Sequence, residues 1–360
     1  MRLTKHETRA MRLYDMQLYL DSYGAFLKVR NKMFDVKLQY GATEQFATTD
    51  VEVIILTQGV MLTTDAMLLA LENDIPIIII DFIGHPVGQV WSGKFGSIAS
   101  IRRNQIFFSE HSDGLTWTAQ NLSKKIESQR TVLQNTFEQN LEIFDVNATS
   151  RHFRALSTLD NLSKKFQRWK HDGETRNAVL SEFRAWEATA SRTYFRFLAS
   201  IMTNEKWQFE NRNFHPAQDR FNCLLNYLYG MLYTQVELAL VKVGIDPALG
   251  IMHVDRHNRP TMSYDFIEPY RHWADTIAIE LALKDLIPSE GFILSDPFAN
   301  KPDEDVGYWL DTSAKPIVVE RFLSFMNEKV IHKKVQQRRL AVLELDAQTF
   351  ATVLKKFKPE

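Results

Sequence analysis

Apolar and polar residues alternate in short runs over the first third of the chain. Over the rest, apolar residues recur at three- and four-residue spacing, so the sequence has two textures. Leu18-Tyr19-Leu20 leads into the turn Asp21-Ser22-Tyr23-Gly24. Residues 25–29 are again extended, and Asn31-Lys32 joins them to Met33-Phe34-Asp35-Val36. Short extended runs separated by turn residues predict hairpins. Residues 51–56 form a second apolar strand, bounded by Gln58-Gly59. Thr63-Thr64-Asp65 offers N-caps for a helix through Leu68, Leu69 and Leu71, and 75–81 is an almost wholly apolar strand beyond Asn73-Asp74. This strand–helix–strand unit has strands apolar at nearly every position, which predicts burial on both faces. Gly59 stands without the other glycines of a dinucleotide-binding fingerprint, so the unit reads as a scaffold and dimerisation domain. Gly84-His85-Pro86-Val87-Gly88 predicts a turn, and Gly93 with Gly96 a domain boundary near Phe95.

Beyond Ser97 the helical period takes over, with Ile98, Ile101, Gln105 and Phe108 on one stripe. Arg102, Arg103, Lys124, Lys125 and Arg130 punctuate two helices on either side of Ser112-Asp113-Gly114. They are candidate phosphate contacts or solvated faces. Residues 147–155 read as a connection, 156–169 as an amphipathic helix and 177–202 as a helix dense in large apolar side chains. In that last helix Glu187 follows Trp186. A carboxylate in such company is costly unless it is paired, capped or bound to a cation, and Arg184 and Arg192 are the alternative partners. Residues 221–242 form a long core helix with Asn222 and Asn226 on one face, for interhelical hydrogen bonds or for a site. Gly244-Ile245-Asp246-Pro247 stops it. Further helices follow over 275–286 and 318–330, separated by a loop with a sheet-like piece at Tyr308-Trp309-Leu310. Lys333-Lys334 with Arg338-Arg339 is a basic run, a solvated face or a DNA flank. The fold class is α+β: a small mixed α/β, β-rich N-terminal domain over 1–95, then a larger all-α domain over 96–360.

The densest polar grouping is GIMHVDRHNRPTMSYDFIEPYRHWAD, residues 250–275. Ile251-Met252-His253-Val254 is extended, His257-Asn258-Arg259-Pro260 turns, and Asp265-Phe266-Ile267-Glu268 reads as the first turn of a helix through Trp273 and Ala278. Residues three apart share a helix face, so Asp265 and Glu268 present two carboxylates to one region, with His253 swinging in from the loop. Two carboxylates and an imidazole suit Mn²⁺ or Mg²⁺. The same Asp-x-x-Glu is equally a capping box with Asp265 as N-cap. Spacing alone leaves both readings open.

Composition adds limits. The chain has 360 residues, 45% hydrophobic and 24% charged, as in ordinary globular proteins. A formal net charge of -1 announces no global basicity, so nucleic-acid binding would rest on local patches. One cysteine, Cys223, rules out an intrachain disulfide and a cysteine-rich zinc site. The charged N-terminus has no apolar signal core, and the longest apolar run, 75–80, is far short of a membrane span. The expected location is cytoplasmic, with no membrane contact.

Several segments, in order, resemble the CRISPR spacer-acquisition integrase family, the CRISPR-associated protein "Cas one", over roughly 16–286. Leu20-Asp21-Ser22-Tyr23-Gly24-Ala25, Thr63-Thr64-Asp65-Ala66 and Asp74-Ile75-Pro76-Ile77 look like its β-rich domain. Lys125-Ile126-Glu127-Ser128-Gln129-Arg130 resembles its first long basic helix, and Trp186-Glu187-Ala188-Thr189-Ala190 its Glu-containing helix. Residues 222–229, Gly244-Ile245-Asp246-Pro247, His253-Val254-Asp255-Arg256 and Asp265-Phe266-Ile267-Glu268 resemble its most specific tract. Trp186 and Ala188 flank the first Glu where glycine is frequent, and the second acidic position, which varies between Asp and Glu in the family, is Glu268 here. The resemblance implies metal-dependent phosphoryl transfer on DNA. Glu187, His253 and Glu268 would be catalytic, and Glu187, His253, Asp265 and Glu268 would hold Mg²⁺ or Mn²⁺. Arg102, Arg103, Lys125, Arg130, Arg256 and Arg259 would contact DNA, with Asp255 structural or DNA-facing. It further implies spacer insertion through a 3′-hydroxyl, a homodimer formed by the N-terminal domain, and the companion "Cas two". A mobile-element integrase, a stand-alone nuclease, and a binding module whose acids are only caps and pairs are the alternatives.

Overall fold

The computed structural model describes residues 11–14, 17–38, 41, 43–81, 84, 86–90, 98–140, 146–214, 216–253, 259–294 and 306–358. The expected boundary near Phe95 with Gly93 and Gly96, and the expected roles of Asp255 and Arg256, fall outside these residues. So do His257 and Asn258 of the predicted turn. The chain divides into two compact units: Met1–Gly96 with Leu323–Leu340, and Ser97–Phe322 with Ala341–Glu360.

The first unit is built on two sheets. β1 (Met11–Tyr14), β2 (Gln17–Leu20), β6 (Val53–Leu56), β8 (Ile77–Ile80) and β9 (Pro86–Val90) form a five-stranded sheet in the order β1-β2-β6-β8-β9. β2, β6 and β8 run parallel, and β1 and β9 close the edges antiparallel. β5 (Thr43–Phe46), β4 (Met33–Lys37), β3 (Phe26–Arg30) and β7 (Met61–Leu62) form the second sheet in that order. The β3–β4 hairpin turns at Asn31 and Lys32 with φ of 54° and 59°, a primed turn that matches strand twist. β2 and β3 are not a hairpin, contrary to the sequence expectation. They belong to different sheets, and β2 pairs with β6 instead. Gly84-to-Gly88 is likewise not all turn, since β9 begins at Pro86. α1 (Thr64–Glu72) links β6 to β8 as predicted, and the Thr63 hydroxyl accepts the Ala66 amide to cap it. Leu18, Leu20, Leu27, Phe34, Ile54 and Ala66 fill the core.

The second unit is helical: α2 (Ile98–Glu110), α3 (Ser112–Gln139), α4 (Val146–Arg168), α5 (Arg176–Ile201), α6 (Arg220–Lys242), α7 (Thr261–Phe266), α8 (Arg271–Leu283), α9 (Lys315–Asn327, which runs into the first unit) and α10 (Arg339–Lys356). Residues 147–155, expected as a connection, are helix. The buried stripe of α4 is Ala148, His152, Ala155, Leu159, Ser163 and Phe166, and its first three members are too small or polar to announce a helix before 156. Such residues let α4 pack closely on α3, where the Ser123 and Ser163 hydroxyls meet at 2.9 Å. α3 also packs on α5, on α8 and on the 3₁₀ turn Glu268–Tyr270. α6 is buried nearly all round from Phe221 to Leu240, as a central core helix must be. β10 (Phe292–Leu294) pairs antiparallel with β11 (Tyr308–Leu310). β12 (Lys329–His332) and β13 (Val335–Arg338) replace the predicted end of the 318–330 helix and the basic run after it. Among the described residues no helix is long and apolar enough to cross a membrane.

Candidate active site

Residues 250–253, which end at His253, are held by side chains of neighbouring helices. Asp265, buried on α7, accepts the Ile251 amide at 2.6 Å and the Met252 amide at 2.9 Å through one oxygen. Its other oxygen takes the His253 amide at 3.3 Å. The loop carbonyls go to arginines: Arg176 donates to Ile251 at 2.6 Å and Arg184 to Met252 at 2.7 Å. Gly250 makes the close approach possible, because a Cβ there would stand 2.8 Å from the Thr261 side chain, whose hydroxyl takes the Gly250 amide. Gln105 on α2 anchors the preceding turn, donating to the carbonyls of Asp246 and Leu249 and accepting the Asp246 amide.

This clamp fixes the imidazole. His253 Nδ1 lies 2.5 Å from Asp265 Oδ1, and a carboxylate can only accept, so Nδ1 carries a proton and Nε2 is the ring nitrogen left for another partner. Asp265 is therefore not the N-cap of a helix beginning at its own position. α7 starts at Thr261 and ends at Phe266, and Glu268 opens a separate 3₁₀ turn. Asp265 serves the residues around His253, while Glu268 reaches Lys125 on α3.

There Glu268 meets Glu187. The Lys125 ammonium lies 2.5 Å from Glu187 Oε1 and 2.5 Å from Glu268 Oε2. The Lys125 and Glu268 side chains are each 7% exposed and Glu187 21%. Glu187 also accepts from Ser191 at 2.6 Å, and Glu268 from Arg271 Nε at 2.9 Å; Arg271 in turn donates to the Tyr233 hydroxyl at 2.7 Å. Burial pushes the Glu268 carboxyl up, but Arg271 and Lys125 outweigh it and hold the group down at about 2. Burial likewise raises Glu187, and Lys125 with Ser191 brings it below the usual carboxylate range. Burial disfavours the charged Lys125, and the two glutamates more than restore it.

The site gathers a cation between two carboxylates, with the His253 imidazole near Glu268. Among the described residues no three His, Cys, Asp or Glu side chains stand close enough to enclose an ion; the cation present is the lysine's own. In kind the donors fit Mg²⁺ or Mn²⁺, with two hard carboxylates and one imidazole nitrogen. Glu268 Oε2 is buried and has Lys125 only as an ion-pair contact, with no hydrogen bond of good geometry, so it retains acceptor capacity.

Other sequence expectations fare unevenly. Glu187 pairs with neither Arg184 nor Arg192: Arg184 holds the His253 loop and Arg192 turns to Thr189. Lys125, expected to contact DNA, is buried between the glutamates. Arg103 and Arg259 are exposed, and Arg102 and Arg130 half-buried. Asn222 and Asn226 buttress the preceding loop, accepting from Arg212 at 3.0 and 2.6 Å. Sequence reasoning missed Ser191 and Arg271, although each follows its glutamate by one helical turn, a spacing that pairs side chains. Arg176 and the part played by Lys125 carried no local signal.

The profile of the family described as CRISPR associated protein Cas1 matches residues 18–322. A CRISPR-associated endonuclease Cas1 of Archaeoglobus fulgidus is 24% identical over 268 residues, 71% of this chain and 74% of its own length. Among solved structures, a casposase bound to integration product is similar with a TM-score of 0.75 at 20% identity, over 96% of this chain and 92% of that one. A Cas6-RT-Cas1–Cas2 complex gives 0.73 at 20% identity, over 97% of this chain and 37% of the longer one. At such identities the structural likenesses establish the fold.

Proposed function

This chain belongs to the CRISPR associated protein Cas1 family, and on that premise we propose that it is the integrase of CRISPR adaptation. It inserts short foreign DNA into the repeat array and cuts DNA by the same chemistry. The observation that carries the reading is the Glu187–Lys125–Glu268 cluster beside a His253 locked in one tautomer. Glu187, Glu268 and Nε2 of His253 would hold Mg²⁺ or Mn²⁺, with Asp265 orienting His253. When bound, the ion polarises the scissile phosphate and offsets charge on the attacking or leaving oxygen.

The chain's own residues do the remaining work. Asp265, Arg176 and Arg184 hold residues 251–253, and with Nδ1 taken by Asp265 it is Nε2 that would face an ion. Arg271 keeps Glu268 ionised and aimed at Glu187. In strand transfer, the 3′-hydroxyl of the incoming DNA forms a new P–O bond at the repeat edge. The old 3′ oxygen leaves, and the proton of the attacking hydroxyl passes to solvent. With water as the nucleophile the same site hydrolyses the phosphodiester, a second reading favoured by the word endonuclease in the relative's name. A similar fold bound to an integration product favours joining.

DNA and the companion Cas2 are the partners, in keeping with the composition of the similar complex. A homodimer through the first unit is supported by apolar Val87 and Ile79, 66% and 40% exposed on β9 and β8.

The test is a strand-transfer assay with a short duplex and a repeat-bearing plasmid, run with Mn²⁺, Mg²⁺ or chelator, with and without Cas2. Metal-dependent joining that vanishes in a folded, DNA-binding His253→Ala variant is the expected result. Joining that survives that substitution would move the site elsewhere, and cutting without joining would favour the nuclease.

A further inference from the structure

β12 and β13 form a two-stranded sheet of their own, beyond the residues 18–322 that match the family. From Lys329 to Arg338 the arm carries Lys329, Lys333, Lys334 and Arg338 and neither Asp nor Glu. Its turn is unusual. Lys333 and Lys334 have φ of 48° and 71°, the left-handed backbone that glycine and asparagine adopt at least cost. The turn between β3 and β4 has the same backbone but puts asparagine first. Two lysines at the apex accept a steric cost that Asn-Gly would avoid, and the return is a pair of exposed ammonium groups at the tip.

The base of the arm is fixed, and Lys329, Ile331, Val335 and Gln336 are exposed along it. Arg339 donates to the Phe325 carbonyl and pairs with Glu328, both at 2.7 Å, and its guanidinium lies 3.6 Å from the Phe325 ring centre. Beyond that anchor Ile331 is 83% exposed. Ile331 pairs with Gln336, and Lys329 with Arg338, so by the two-residue period these four side chains share one face. An aliphatic side chain flanked by cations and an amide, on a ribbon with two lysines at its tip, complements a polyanion with a shaped surface.

We propose that the β12–β13 hairpin is a DNA-binding arm. Lys333 and Lys334 take backbone phosphates of a duplex, and the face bearing Ile331, Gln336, Lys329 and Arg338 lies in a groove, which admits a two-stranded ribbon. An anionic membrane is the poorer match, because a hairpin seated in lipid buries an apolar tip and this tip is cationic. The inference rests on the proposed function only for the choice of DNA as the polyanion.

The test uses the full chain in chelator, with a fluorescein-labelled short duplex followed by anisotropy across a salt series. The Lys333→Ala/Lys334→Ala double variant is expected to lower the slope of log K against log salt by about 0.9 for each lost contact, and to bind on the order of tenfold or more weaker at low salt. Ile331→Ala is expected to weaken binding with the slope unchanged. Wild-type affinity and slope in the double variant would overturn the proposal. So would intact DNA binding together with lost sedimentation on phosphatidylserine vesicles. The two readings fail separately. A wild-type chain that never joins DNA, yet loses salt slope in the double variant, keeps the arm and loses the integrase. Normal joining with an unchanged slope does the reverse.

Discussion

Replacing Lys125 by methionine removes the cation on which the glutamate pair closes while keeping most of the side-chain volume. After the change Glu268 retains Arg271 at 2.9 Å, so its charge stays paired. Glu187 retains only the Ser191 hydroxyl at 2.6 Å and now faces Glu268 without an intervening charge. Breaking a buried pair by removing one partner costs about 3–5 kcal/mol. Glu187 keeps some solvent access and Glu268 keeps its arginine, so the lower end, about 3 kcal/mol, is expected. The assay is urea denaturation in chelator. Two controls sharpen it. Adding Glu187→Gln to Lys125→Met deletes the orphaned charge and should recover most of the loss. Mn²⁺ should stabilise Lys125→Met more than the wild type, where an ion must first displace the ammonium; an ion at a hundred times its Kd contributes about 2.7 kcal/mol. A Lys125→Met protein as stable as wild type in chelator, or one that Glu187→Gln fails to rescue, would refute the view that Lys125 holds the two carboxylates together.

The remaining predictions address other parts of the molecule. Glu237, half-buried on α6, has its carboxyl pushed by burial from 4.5 to about 7. Its folded pKa lies above the unfolded one, so its contribution is full below pH 4.5 and lost as pH rises through 7. Glu237→Gln should therefore match wild type in acid and exceed it above pH 7 by up to about 3 kcal/mol, read from denaturation at both pH values. Asp265→Asn turns an acceptor of three amides into a mixed group; expected losses are about 1.5–3 kcal/mol of stability and 10- to 100-fold in Mn²⁺ affinity by calorimetry. Unchanged metal affinity would free His253 from its dependence on Asp265. Val87→Glu should shift the protein toward monomer in light scattering without lowering its melting temperature.

Where structure follows from neighbours in sequence, it could be read in advance. Thr63 before an apolar-periodic run gave the capped α1, and the apolar runs on either side gave β6 and β8. Pairing was harder. Nothing local in Leu18-Tyr19-Leu20 shows that it joins β6 rather than β3, because partner choice is settled by burial across the whole sheet. The start of α4 was hidden for a different reason: its buried positions there are Ala148, His152 and Ala155, which close packing favours and a hydrophobic pattern overlooks. In the site, Glu187 stood out as a carboxylate among aromatics, and His253 with Asp265 and Glu268 as a dense polar tract. The capping-box alternative failed because the helix begins earlier, at Thr261. The link between these groups runs through Lys125, 62 positions from Glu187, and one lysine in a helix of mixed charges gives no sign that it points inward.

The distances along the chain between the parts of this site have a biological consequence. Lys125 reaches Glu187 across 62 residues, Arg184 reaches Met252 across 68 and Arg176 reaches Ile251 across 75. No fragment that emerges early from the ribosome, and no partly melted form, contains a finished centre. An enzyme that cuts DNA is safest when competence arrives all at once. Here connectivity would act as quality control, because the candidate site is complete only when the helical unit has finished folding.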